Sequence, residues 1–172
     1  MFRCPKHDNA ALFWIGASNH PWLEMLRCAQ HDSTVLQKGA IMKLTRIDRS
    51  QAQPDTSRKG YFDGEVKTLQ LVGPKQSNEV ELLAVYFSAG ARTIPHIHEQ
   101  DQVLQIIEGQ GIVATETEKL LVSIGDVITI PAGIWHWHGA TRNTAMCHIS
   151  MKRPGPTNWE VELKNWASGY DE

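Results

Sequence analysis

From Tyr61 onward the chain is a succession of short runs of β-forming residues, each closed by glycine, proline, asparagine or aspartate. That grammar leaves little room for a helical domain and calls for a sheet that closes on itself or packs on a second one. Nine runs can be marked, at 66–72, 80–88, 93–97, 102–108, 112–116, 120–123, 127–130, 135–138 and 145–151. The breaks at Gly90, Gly109-Gln110-Gly111, Gly125-Asp126 and Pro131-Ala132-Gly133 carry turn chemistry, since glycine reaches positive φ and proline presets φ at a corner. The expected class is all-β, with one barrel or sandwich.

Strand parity then sorts the side chains. His96 and His98 are two apart and share a face, as do His136 and His138, while Trp135 and Trp137 point the other way. Two strands thus each aim a pair of imidazoles in one direction. Imidazole fills a β core poorly and binds metal well, so the two His-x-His pairs read as a metal site. On the last run Met146, His148 and Ser150 share one face, and Ala145, Cys147, Ile149 and Met151 share the other. Trp135 and Trp137 read as wall or dimer packing, Trp159 and Trp166 as anchors of a C-terminal tail, and Cys147 as a small apolar residue. Arg92 reads as a surface ion pair or an anion contact.

These residues resemble the cupin superfamily, whose first motif sets a glycine ahead of His-x-His, a glutamate and a second glycine. Here they are Gly90, His96, His98, Gln102 and Gly109. Its second motif is matched by Gly125, Pro131, Gly133 and His136, with Ala140 where asparagine is usual. The resemblance implies a single-domain jelly-roll barrel, a double-stranded β-helix, holding one divalent transition metal on His96, His98, Gln102 and His136. Manganese or iron leads, with zinc, nickel and copper compatible. Gln102 stands where glutamate is usual, which removes a negative charge and favours Lewis-acid work over chemistry that must reach a more oxidised metal.

The strings Gly90-Ala91-Arg92-Thr93, His136-Trp137-His138-Gly139-Ala140 and Thr144-Ala145-Met146-Cys147-His148 are similar to small bacterial cupins that include hydroxynitrile lyases. The similarity runs roughly from Tyr61 to Trp166 and departs at Lys152, where those lyases carry a glutamine facing the pocket. It implies a metal-bound cyanohydrin hydroxyl, His138 as the base that takes its proton, and His148 as a second residue for handling cyanide. For His138 a role in orienting a ligand stands equally open. Two other functions also stay open, a metal-dependent dioxygenase of the quercetin type and a non-catalytic module binding a metal or small ligand.

Residues 1–41 follow a different grammar. They repeat Arg-Cys-x-x-His-Asp, with Cys4 and His7 echoed by Cys28 and His31. This is a ligand set zinc accepts. The other reading is an extension ahead of a start at Met42, with one short helix over 19–32. Residues 42–60 are polar, with Pro54 and Gly60, and read as a linker or arm before a barrel and tail at 61–172. A net charge of −2 provides no basic stripe for nucleic acid. No apolar run reaches the length needed to span a bilayer as a helix, and three widely spaced cysteines fit free thiols in a reducing cytoplasm. The expected partners are a small-molecule substrate and, through an exposed sheet edge, a second copy in a homodimer.

Overall fold

The computed structural model describes residues 42–55 and 60–170. The Cys4/His7 and Cys28/His31 pairs and the helix expected over 19–32 lie outside the described residues. Within them the regular structure is almost entirely β-strand. The strands are β1 (Gln53–Pro54), β2 (Phe62–Asp63), β3 (Val66–Val72), β4 (Glu81–Phe87), β5 (Arg92–Thr93), β6 (Ile97–His98), β7 (Gln102–Thr115), β8 (Lys119–Ser123), β9 (Val127–Ile130), β10 (His136–Ala140), β11 (Met146–Lys152) and β12 (Thr157–Asn158). The helical turns among them are two single 3-10 turns, at Arg49–Gln51 and Trp166–Ser168. No helix among the described residues is long and apolar enough to cross a membrane.

One curled sheet runs in the order β1-β3-β4-β11-β7-β10-β5-β2, with β8 and β9 also paired to β7 and a small β12-β6 ladder beside it. All the pairings are antiparallel. This is the all-β jelly-roll barrel expected from the sequence. Strand β7 joins its halves, pairing β11 and β9 along its first half and β10 and β8 along its second.

Two of the runs expected as separate strands are continuous. Runs 102–108 and 112–116 are one strand, and Gly109-Gln110-Gly111 is no turn. Gly109 has φ +70°, and a Cβ there would collide with the Ala145 carbonyl oxygen. The glycines let β7 pass tightly against its neighbours while it changes partners. A bulge precedes them: Cys147 faces Glu108 but His148 faces Ile106, leaving Ile107 as the extra residue. Such a bulge reverses inward parity, so Gln102, Leu104 and Ile106 are buried before it and Gly111 and Val113 after it.

Run 93–97 also divides, into β5 and β6, because Pro95 between them lacks an N–H for a ladder. Part of the segment read as a linker is paired, with Gln53 and Pro54 opposite Thr68 and Lys67 as an edge strand.

The barrel interior is filled by Val66, Val85, Phe87, Leu104, Ile106, Val113, Ile130 and Met146. Two further apolar groups lie apart from it. Ala52, Leu71, Ala84, Tyr86, Cys147 and Ile149 form one. Trp135, Trp137 and Ala114 form the other, with tail residues Val161 and Trp166 packed against them.

Candidate metal centre

Three imidazoles converge at one end of the barrel interior. His96 and His136 are locked by reciprocal backbone hydrogen bonds, N–H to C=O at 2.9 and 3.1 Å, so their side chains leave on the same side. His98 follows two residues on, at the end of β6. The ring centroids lie 5.0 Å apart for His96 and His98, 4.3 Å for His96 and His136, and 5.4 Å for His98 and His136. All three rings are buried, and one nitrogen of each lies within 4.8 Å of the others, a group that could hold a metal ion.

The nitrogens on the far side of each ring fix which ones are available. His96 Nδ1 lies 3.0 Å from the Ile94 carbonyl and His136 Nδ1 2.8 Å from the Ile134 carbonyl. A carbonyl only accepts, so each Nδ1 carries the proton and each Nε2 is left with a lone pair. His98 Nδ1 is paired at 3.0 Å with Thr157 Oγ1 from β12.

Gln102 completes the group from β7. Its amide nitrogen donates to Ser150 Oγ at 2.9 Å, which turns Oε1 toward His136 Nε2 at 3.1 Å. Two lone pairs then face each other in a buried site, a repulsive contact that a cation between them relieves. Protonating His136 is the costlier remedy, since burial holds its pKa down at about 4. The residues present therefore fit a divalent cation, with three neutral imidazole nitrogens and one amide oxygen as donors.

His138 and His148 stand beside this group. His148 Nε2 and His138 Nδ1 are 3.1 Å apart and share one proton, and His138 Nε2 has no hydrogen-bond partner among the described residues. Burial, and then the neighbouring imidazoles, push the His138 pKa well below the ordinary 6.5. Burial brings that of His148 to about 3. Both rings are neutral near pH 7. A cavity of about 390 Å³ opens on His96, His98, Gln102, His138 and His148, walled by Tyr61, Phe62, Leu83, Val85 and Trp159.

A Cupin domain model matches residues 84–151. The chain is 34% identical over 115 residues to an (R)-mandelonitrile lyase of Granulicella tundricola, a match covering 64% of this chain and 84% of that protein. The chain belongs to the cupin superfamily. A crystal structure of a cupin-like protein from Thermotoga maritima superposes on this cupin with a TM-score of 0.60 at 28% identity, over 66% of this chain and 87% of that one. A gentisate 1,2-dioxygenase of a Ralstonia species is 43% identical over 57 residues, but that stretch is 33% of this cupin and only 16% of the dioxygenase.

Other residues singled out in the sequence lie elsewhere in this cupin. Arg92 pairs with the exposed carboxylate of Asp63 at 3.6 Å, the ion pair the sequence allowed, and it does not line the cavity. It is buried, its guanidinium lies 3.9 Å from the Trp166 ring and 4.6 Å from the Tyr170 ring, and it donates to the Trp166 carbonyl at 2.7 Å. It clamps the tail. Trp166 Nε1 donates to the Thr93 carbonyl and Trp135 Nε1 to the Glu162 carbonyl, so these tryptophans bind tail to barrel. Trp159 is more than an anchor, since it stacks on Tyr61 at 4.5 Å and lies 4.3 Å from the His96 ring. Cys147 is fully buried and its thiol is pushed up to about 12 by burial, which excludes a thiolate nucleophile.

Sequence reasoning missed Ser150, Thr157 and Thr93, whose hydroxyl accepts from the His138 N–H at 3.2 Å. Ser150 was within reach, because it shares a strand face with His148. Thr157 was not, because the segment around it has no periodicity.

Proposed function

We propose that this cupin holds one divalent transition metal, manganese or iron first, on His96, His98, Gln102 and His136, and cleaves small cyanohydrins as a Lewis-acid lyase. The observation that carries the reading is the neutral, buried His138–His148 pair opening onto the same cavity as His96, His98 and Gln102. A metal on these donors supplies Lewis acidity that lowers the pKa of a substrate hydroxyl.

His138 Nε2 is the base. It takes the hydroxyl proton as the carbonyl forms, and the carbon–cyanide bond breaks with its electron pair leaving on cyanide. The same proton, returned to cyanide, completes hydrogen cyanide. Across the 3.1 Å contact His138 Nδ1–H donates to His148 Nε2, which leaves His138 Nε2 with the accepting lone pair and makes His148 the second residue in proton handling. Thr93 and Phe87 fix the His138 ring, the first through the backbone of His138 and the second edge-on at 5.9 Å.

The test loads the full chain in parallel with Mn(II), Fe(II) and Zn(II), quantifies bound metal and measures cyanide release from mandelonitrile. Metal-dependent release that His138→Ala lowers by about a hundredfold or more, at unchanged metal content, is the expected result. Stoichiometric metal without release would move the reading to a dioxygenase, read out as oxygen consumption with a flavonol or diketone. Absence of metal would leave a small-ligand binding module.

A homodimer is our proposal for the assembly, supported by the exposed Leu121, Ile124 and Val127 around β8 and β9. Light scattering at micromolar concentration that returned a monomer would remove it.

A further inference from the structure

The cavity carries a charged pair that the chemistry proposed above does not use. Lys152 on β11 lies directly opposite Gln102 on β7 and directly opposite Glu81 on β4. Directly opposed residues of antiparallel strands put their side chains on one face, about 5 Å apart. Glu81, Lys152 and Gln102 therefore form a row across the cavity floor, with Lys152 next to the donor group. All three line the cavity.

The lysine is held there without being saturated. Its side chain is 10% exposed and that of Glu81 22%, so the ammonium is largely withdrawn from water. Its contacts are long: 3.7 Å to Glu81 and 3.4 Å to the Gly155 carbonyl, against 2.7–3.2 Å for a full hydrogen bond. An ammonium has three N–H donors. Here it retains donor capacity toward the cavity.

We propose that Lys152 makes this pocket favour, among the hydroxyl-bearing molecules it admits, those that also carry a carboxylate, with the carboxylate on Lys152 and the neutral hydroxyl toward the donor group. This rests on reading the cavity as a substrate pocket. A monoanion fits better than a phosphate, because among the described residues Lys152 is the sole lysine or arginine lining the cavity, and phosphate sites gather several cationic or backbone N–H donors. A carboxylate also suits the size, since about 390 Å³ is near the lower end of small-molecule sites. Glu81 has a defined part in this arrangement: it holds the ammonium in place and competes with the incoming carboxylate.

The experiment compares mandelate with mandelamide, equal in shape and unlike in charge, by calorimetric titration of the full chain. Each titration is run on metal-stripped and Zn(II)-loaded protein, so that a carboxylate preference of the metal is separated from one of the lysine. In the metal-stripped protein mandelate is expected to bind roughly tenfold tighter than mandelamide. Lys152→Gln should abolish that preference while moving mandelamide affinity less than about twofold, and Glu81→Gln should strengthen mandelate severalfold. Equal binding of the two ligands, no binding of either, or a preference that survives Lys152→Gln would overturn the proposal. Should Lys152→Gln fail to fold, Glu81→Gln decides alone, with unchanged or weaker mandelate binding counting against it. Failure to load zinc would defeat the metal-dependent reading and leave the stripped-protein comparison to judge Lys152.

Discussion

Acidification is the perturbation whose size can be worked out from the buried imidazoles. His136 titrates at about 4 and His148 at about 3 in the folded chain, each lowered from 6.5 chiefly by burial. An unfolded chain therefore takes up these two protons as pH falls from 6.5 toward 5, where the folded chain takes up almost none. Stability rises with pH wherever the unfolded state binds more protons, so it is full above pH 6.5 and is lost as pH falls toward the folded values. At pH 4.5 each group has cost about 2.5 kcal/mol and the pair about 5 kcal/mol, with one pH unit worth about 1.4 kcal/mol per proton. Against a total of about 5–15 kcal/mol this is severe. Urea unfolding of metal-stripped protein from pH 7.5 to 4.5 should show the midpoint falling steeply over a window above the usual carboxylate range. His148→Gln, which cannot titrate, should remove about a third of that slope, because His138 is lowered by burial alongside His136. A flat profile, or an unchanged slope in His148→Gln, would refute the account of these rings as buried and neutral.

Two further outcomes follow from contacts at Gln102 and at the tail. Ser150→Ala removes the acceptor of the Gln102 amide and lets it turn nitrogen-inward, so Zn(II) affinity by chelator competition should fall about tenfold, at the low end for partners of metal ligands. In a Gln102→Glu background, where either side of the group is oxygen, the same change should cost under about threefold, and equal losses in both would defeat the orientation argument. Arg92→Lys deletes the planar stack on Trp166 and Tyr170 and should cost about 2 kcal/mol in urea unfolding. Proteolysis should then begin in residues 159–170, and an unchanged midpoint with an intact tail would show that the clamp contributes nothing.

The barrel and the donor group were legible in the sequence for a definite reason: alternation has a period of two and the histidines obey it locally. His96 with His98, and His136 with His138, needed only strand parity. What parity could not carry was anything past the bulge at Ile107, where one extra residue inverts inside and outside. Gly109 and Gly111 misled for a related reason. The residue type that makes turns also permits close strand contact, and only the neighbours Ala145 and Met146 tell the two apart. The ion pair of Arg92 with Asp63 was foreseeable, but its burial was not, because a cation with aromatic partners at residues 137, 166 and 170 has no signature in local sequence. Its partners are distant in the chain.

Charge balance links the donor group to the rest of the cavity. Three imidazoles and an amide bring no negative charge to a dication, and the Lys152–Glu81 pair sums to zero. A dication there would sit in a largely buried site with no net anion among the lining residues, where each uncompensated charge is costly. The group best able to relieve that cost is an anion that arrives with the substrate or forms on it. An alkoxide generated by His138 is one, and a carboxylate on Lys152 is another. Glutamate at residue 102 would have met part of this need permanently. With Gln102 in its place the stabilisation is reserved for the reacting molecule, which is what differential binding of a transition state requires.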